Sequence, residues 1–322
     1  MLAAQGKLAE AETLNRQALE MRRKLLGNEH PDVAQSLNNL SSTLWNEGKL
    51  TDAEAFQREA LQIRRKLLGN EHPDVAVSLN NLATMLAKQG KLSESEAMHH
   101  QALALRRKLL GDENPDVAYS LNNLATTLAS QGKLPQAEAM HRETLALRRR
   151  LFGNEHPEVA VSLNALATVL WKQGHHTEAE IMYAQALAMR KKLLGVENPE
   201  VAMSLEGLAC ALRDQHMTSE AEVVARECLD IREKRLPDDW RTSNACSLLG
   251  SILLAQNRFA EAEPLLLCGY TGMSQRKDRI TAGDKSFLRE SAEWLVQLYS
   301  ATGQLDQAVR WKEQLTEFDK AH

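Results

Sequence analysis

The chain has 322 residues, 43% of them hydrophobic and 25% charged, with a formal net charge of −4. That balance argues against a dedicated nucleic-acid binder, which carries a basic excess. No stretch approaches the ~18 uninterrupted apolar residues of a membrane span.

The opening Met1-Leu2-Ala3-Ala4-Gln5-Gly6 lacks the basic segment and apolar core of an export signal. Leu2 to Gly6 reads as the tail of a first helix, and residues 7–26 read as a complete second helix. From His30 onward the sequence repeats itself. His30-Pro31-Asp32-Val33-Ala34 and Ser36-Leu37-Asn38-Asn39-Leu40 return around Pro73, Pro115, Pro157 and Pro199, a period of 42 residues. Self-similarity at such a period marks stacked supersecondary units rather than one globular core.

Within a unit the apolar spacing is helical, with Leu37, Leu40 and Leu44 at i, i+3 and i+7. Pro31 suits the first helical turn, where a missing N–H is harmless, and Asp32 complements the positive helix end. His30, His72 and His156 are placed to cap these helices. After Gly48-Lys49 a second helical run carries Leu50, Ala53, Ala60, Leu61, Leu67 and Leu68. It ends at Gly69, a residue suited to a left-handed cap. No period-two pattern interrupts this, so the chain reads as all-α.

The units divide as a partial repeat over 1–29, regular repeats over 30–71, 72–113, 114–155, 156–197 and 198–238, a degenerate repeat and loop over 239–283, and a last hairpin over 284–322. In the degenerate unit Trp240 takes the place of the proline, and residues 274–285 read as a longer loop or a frayed helix end.

Small residues recur where paired helices must approach. The second helices have Ala11, Ala53, Ser95, Ala137, Ala179, Ala221, Ala262 and Ala308, followed by Ala18, Ala60, Ala102, Thr144, Ala186, Cys228 and Gly269. The first helices answer with Ser41, Ala83, Ala125, Ala167, Ala209 and Gly250. A larger side chain there would wedge the helices apart, at about 1–3 kcal/mol per site.

The four cysteines, at 210, 228, 246 and 268, form no Cys-x-x-Cys pair and read as reduced thiols of a cytoplasmic protein. His99 and His141 share a register and His175-His176 is a separate pair, but no ligand set at zinc-like spacing accompanies them. Neither a metal nor a cofactor is expected. Phosphate-loop, nucleophile-elbow and His-Glu-x-x-His signatures are missing, so no enzyme activity is expected. The basic runs Arg22-Arg23-Lys24, Arg64-Arg65-Lys66, Arg106-Arg107-Lys108 and Arg148-Arg149-Arg150 read as a solvated surface matched to the helix dipoles.

Leu-x-x-Leu-Ala-x-x-Leu-x-x-x-Gly-x-x-x-x-Ala-Glu followed by Ala-Leu resembles the tetratricopeptide repeat. The 42-residue form, with His-Pro-Asp-Val-Ala, Leu-Asn-Asn-Leu-Ala and Arg-Arg-Lys-Leu-Leu-Gly, is similar to the kinesin light chain type. The match spans essentially the whole chain, although the aromatic positions of the family pattern are mostly Leu here. The resemblance implies a right-handed α-solenoid, a superhelix whose first helices line a concave groove. The groove would then display the ladder Asn38, Asn80, Asn122 and Asn164, flanked by Ser42, Thr84, Thr126 and Thr168. Tyr119 would sit with Val77 and Val161 as an apolar anchor. Trp45 and Trp171 would add surface, and Lys88, Lys172 and Arg213 would meet acidic side chains. An amide offers donors and an acceptor, so the ladder suits an extended peptide backbone. Helix-to-helix bonding is the equal alternative for it, and the favoured role for Asn39, Asn81 and Asn123.

The expected function is a non-catalytic protein–protein interaction scaffold that binds a peptide or protein segment, including one with acidic residues. The alternative is a structural spacer or self-assembling array. Helix 7–26 would present Leu8, Ala11 and Leu14 at an open N-terminal edge. Either the chain is a module of a larger protein, the preferred reading, or that edge pairs with another copy.

Overall fold

The computed structural model describes residues 7–280 and 284–321; the helix tail expected over Leu2 to Gly6 lies outside the described residues. Fifteen α-helices and no strand occur among them. The first helices are α2 (Pro31–Asn46), α4 (Pro73–Lys88), α6 (Pro115–Ser130), α8 (Pro157–Lys172), α10 (Pro199–Asp214), α12 (Trp240–Ala255) and α14 (Ser286–Ala301). The second helices are α1 (Leu8–Leu26), α3 (Leu50–Leu68), α5 (Leu92–Leu110), α7 (Leu134–Phe152), α9 (His176–Leu194), α11 (Thr218–Arg235), α13 (Phe259–Gln275) and α15 (Leu305–Ala321). The stretch expected to be a loop after residue 274 contains the end of α13, a 3₁₀ turn over Lys277–Arg279 and the buried Ile280; residues 281–283 lie outside the described ones. The chain forms two compact units, Met1–Leu147 and Arg148–His322.

The first helices α2 to α12 each start where a proline or Trp240 stands, because the preceding residue caps the helix. Nδ1 of His30, His72 and His156 accepts from the backbone N–H of Asp32, Asp74 and Glu158 at 3.1 Å. Asn114, Asn198 and Asp239 do the same with a side-chain oxygen. Such caps satisfy an otherwise orphaned donor, and each contributes about 1 kcal/mol. Proline at the first helical position gives up no hydrogen bond.

The ends of the second helices differ from expectation. Gly69 has φ +79° and ψ 176°, and Gly27 has φ +80° and ψ 175°. This is the extended positive-φ region open essentially to glycine alone, not the left-handed helical cap. The chain therefore leaves the helix straight toward the next capping residue. The turn inside each hairpin does use a positive φ, at Gly90 (+80°) for example, and His216 (+61°) and Asn257 (+60°) adopt it without being glycine.

The small-residue positions are buried as expected, and hydroxyls add bonds across the contact: Ser41 Oγ donates to the Ala53 carbonyl at 2.6 Å and Ser95 Oγ to that of Ala83 at 2.7 Å. Ala18 is the exception and is exposed. In the first unit Leu19, Val33, Leu37, Leu40, Leu44 and Ile63 pack together. In the second, Trp240, Met273, Ile280 and Leu288 form a cluster joined by Tyr270, Phe287 and Phe318.

Candidate functional site

The two asparagine ladders are zipped to each other. Asn81 Nδ2 donates to Asn38 Oδ1, and Asn123 Nδ2 to Asn80 Oδ1, both at 3.2 Å. Asn80 is only 1% exposed. These amides tie neighbouring first helices together, so Asn80 does not stand open to a ligand as the peptide-ladder expectation had it. Asn122 is different. Its Oδ1 is buried without a hydrogen-bond partner, and in the 42-residue register Ala165 follows the donors Asn81 and Asn123. A buried acceptor left unmade is costly, on the order of 1–3 kcal/mol.

Around Asn122 the first unit presents the rest of its expected residues. Thr126 is exposed and Thr84 half-buried, and each hydroxyl also bonds the carbonyl four residues back, at Asn122 and Asn80. Tyr119 is 47% exposed and Val77 is exposed beside it in the register. Lys88 lies over the Trp45 ring, its Nζ 4.6 Å from the centroid.

The second unit uses its expected residues differently. Asn164 Oδ1 accepts from Ser204 Oγ at 3.1 Å and from Arg190 at 3.3 Å. Thr168 Oγ1 shares a 2.9 Å bond with the Tyr183 hydroxyl. Trp171 Nε1 donates to Asp214 at 2.7 Å, and Arg213 pairs with the same carboxylate at 2.9 Å while its guanidinium lies 5.3 Å from the Trp294 centroid. Burial raises the carboxyl of the nearby Glu290. Lys172 is exposed. Trp171, Asp214, Arg213 and Trp294 thus form one chain of polar and ring contacts, of which the sequence pointed only to Trp171 and Arg213.

The basic runs are not simply a solvated surface. Their first arginine turns inward and clamps the next hairpin. Arg64, Arg106, Arg148 and Arg190 are buried, and each donates to a serine hydroxyl fourteen residues on, at 2.7–2.9 Å to Ser78, Ser120, Ser162 and Ser204. Each also reaches a backbone carbonyl at the start of that helix. Burial pulls these guanidinium pKa values down, yet arginine remains charged throughout the ordinary pH range. The signal was present: the 42-residue register holds Arg at 22, 64, 106, 148, 190 and 232, while the second position changes to Lys191 and Glu233 and the third is Lys except at Arg150. The second and third cations serve as surface struts, as in Arg23 to Glu59 at 2.5 Å and Lys192 to Glu155 at 2.5 Å.

The clamps differ between the units in one respect. Arg148 pairs with Glu158 at 2.7 Å, Arg190 with Glu200 at 2.9 Å, and Arg232 with Glu206. Arg64 and Arg106 face Asp74 and Asp116, whose side chains are one methylene shorter, and among the described residues neither makes an ion pair. Arg64 instead takes Gln35 at 3.1 Å, at a cavity of about 210 Å³ that Gln35, Leu67, Leu68 and Asp74 also line. Arg106 lies 5.8 Å from the Tyr119 ring centroid.

His99 and His141 are buried. Among the described residues no three His, Cys, Asp or Glu side chains gather around one point. No helix among them is long and apolar enough to cross a membrane.

Sequence profiles described as tetratricopeptide repeat match residues 1–66, 38–108, 74–150, 116–192, 201–239 and 244–267. No curated protein matches the chain. Among solved structures it is similar to BtubC (BKLC) from P. vanneervenii, at 23% identity and a TM-score of 0.61 over 70% of this chain and 91% of that one. A Podosopora anserina kinesin light chain protein with nearly identical TPR-like repeats is similar at 26% identity and a TM-score of 0.57, over 64% and 97%. The apo form of the quorum sensor NprR from B. thuringiensis shares the fold at 12% identity and a TM-score of 0.72, over 96% and 83%. With profiles matched along most of its length and these stacked helical hairpins, the chain belongs to the tetratricopeptide-repeat family, with similarity to its kinesin light chain type.

Proposed function

We propose that the first-helix face of the unit Met1–Leu147 binds an extended peptide or protein segment carrying acidic side chains, in a non-catalytic scaffold. The observation that carries this reading is the pair Arg64 and Arg106, buried cations without an ion-pair partner, in contrast to Arg148, Arg190 and Arg232. Asp74 and Asp116 act on these guanidinium groups without reaching ion-pair distance, and a buried charge held so loosely favours a ligand that brings a closer counter-ion. Tyr119, exposed above Arg106, offers a ring face to an apolar or aromatic side chain, and the half-buried Asn122 would lie beside the segment. Thr84, Thr126, Lys88 and Asn38 would flank the segment. In the second unit Asn164, Thr168, Trp171, Lys172 and Arg213 would offer contacts of their own to such a segment; Asn80 would act through Asn123 as a support.

The test is a peptide array of short acidic, neutral and basic sequences probed with the wild-type chain and with Tyr119→Ala and Asn122→Ala. Retention of acidic peptides by the wild type, weakened by both substitutions and by added salt, is the expected result. Equal retention of all peptide classes, or indifference to both substitutions, rejects it.

A second reading, a self-assembling array, rests on α1. Ala11 is buried and Leu8 half-buried, but Leu14, Met21 (62% exposed) and Leu25 (75% exposed) stand open on one helix, whereas Ile63, the register mate of Met21, is buried. Absence of any array signal, together with concentration-dependent association in light scattering that Met21→Glu abolishes, favours that reading instead.

A further inference from the structure

Four cysteines lie in the second unit, and their surroundings sort them. Cys228 is buried and its thiol donates to the Ala202 carbonyl at 3.3 Å, while Cys210 has its thiol pushed up to about 12 by burial. Thiols held in that way are inert. Cys246 and Cys268 differ, because their sulfurs are 4.0 Å apart across the α12–α13 hairpin.

This hairpin is packed unusually closely. A Cβ at Gly269 would fall 2.0 Å from Ser247 Oγ and 2.7 Å from the Ser243 carbonyl, and one at Gly272 would fall 2.2 Å from Ser243 Oγ. Glycine at 269 therefore brings the backbone beside Cys268 against the backbone beside Cys246. Backbones this near are what a disulfide requires, since the bond tolerates only short Cα separations.

The two thiols are unequal. Cys268 is exposed, whereas Cys246 is 5% exposed and its thiol is pushed up to about 12, first by burial and then by Cys268 beside it. Both open onto a cavity of about 410 Å³, where Glu233, Arg276, Gln275 and Thr271 provide charges of both signs and neutral polar groups. That lining matches a small molecule with amino and carboxylate groups.

We propose that Cys268 and Cys246 form a thiol–disulfide exchange site for small zwitterionic disulfides, with Cys268 attacking and Cys246 resolving. The Cys268 thiolate attacks one sulfur of the small disulfide, forming a mixed disulfide and releasing one thiolate, which takes up the proton that Cys268 gave up. Cys246 then loses its proton and its sulfur attacks Cys268 Sγ. The Cys246–Cys268 bond forms and a second small thiol leaves, carrying that proton. The two cysteines are oxidised and one small disulfide is reduced to two thiols. The product is a covalent tie between α12 and α13, independent of any ligand on the first-helix faces.

The test is incubation of the reduced chain with oxidised glutathione, followed by intact mass and non-reducing peptide mapping. The wild type is expected to lose two hydrogen atoms, to yield a peptide linked through Cys246 and Cys268, and to melt at a higher temperature. Cys246→Ser is expected to stop at the glutathione adduct on Cys268. Cys268→Ser is expected to react at least roughly tenfold more slowly, since the remaining thiols are shielded. Circular dichroism of each variant against wild type checks the fold, and Cys246→Ala replaces Cys246→Ser if the hydroxyl is not tolerated. A wild type that stops at a stable adduct, or a Cys268→Ser variant as reactive as wild type, overturns the proposal.

Discussion

The ring of Tyr183 lies directly against the backbone of Gly207: a Cβ built on Gly207 would sit 2.3 Å from Cε1 and 2.4 Å from Cζ of that ring. Tyr183 is buried, its hydroxyl bonded to Thr168, and burial raises its pKa far above the ordinary phenol value. The register position of Gly207 holds Asn39, Asn81, Asn123 and Ala165 in earlier repeats, while that of Tyr183 holds Asn15, Gln57, His99 and His141. Large and small have been exchanged across one contact so that a tyrosine fits where the ladder amide would be.

Gly207→Ala is therefore expected to destabilise the chain by about 1–3 kcal/mol, the usual range for overpacking. Urea unfolding measures it. Addition of Tyr183→Leu should recover most of the loss, and a double variant no better than the single one would show that the ring is not the obstacle.

The arginine clamp predicts a contrast between two substitutions in one pair. Arg148→Lys replaces a planar fork by a point charge that cannot hold Ser162 Oγ, the Glu158 carbonyl and the Glu158 carboxylate together, so a loss of about 2 kcal/mol is expected. Glu158→Asp shortens the carboxylate to the length found at Asp116, and because Glu158 is half exposed the expected loss is below about 1 kcal/mol. Similar losses from both, measured by thermal unfolding, would remove the clamp from the account.

Stability should depend on pH through His99. Burial, then Arg106 and His100, lower its pKa from 6.5 to about 4. The folded chain thus holds the neutral imidazole while the unfolded chain binds a proton near the ordinary value. The stabilisation is fully present above about pH 6.5, is lost as the pH falls toward 4, and is constant below that; its upper limit is about 3 kcal/mol. His99→Gln should flatten the profile between those limits. A profile unchanged by the substitution would assign the acid sensitivity elsewhere.

Two hairpin turns carry a backbone conformation without the residue that favours it. His216→Gly should stabilise the chain by about 1 kcal/mol or less, because relief of the positive φ is partly offset by the greater freedom of glycine in the unfolded state. The melting temperature checks this, with Gly90→His as the reciprocal loss.

The sequence alone determined the helices, their order and their close contacts. Pro31 and its successors, the capping histidines and asparagines, and the alanine positions act through short-range rules: the missing N–H of proline, an orphaned donor satisfied two residues away, and the room available between two helices. Even the degenerate unit beginning at Trp240 obeyed them. What only the tertiary structure decided is partner choice. Asn80 was legible as a polar residue near the first-helix face, but whether it meets a ligand or Asn123 depends on the distance between helices forty-three residues apart in the chain. Arg106 looked like one of three surface cations, and its inward turn depends on Ser120 standing within 2.7 Å once the next hairpin is stacked. The unpaired charges of Arg64 and Arg106 turn on a single methylene between Asp and Glu, and the meeting of Cys246 with Cys268 on how closely Gly269 lets two backbones approach. Periodicity fixes which face a residue lies on; a difference of an ångström or so in helix packing fixes what it touches there.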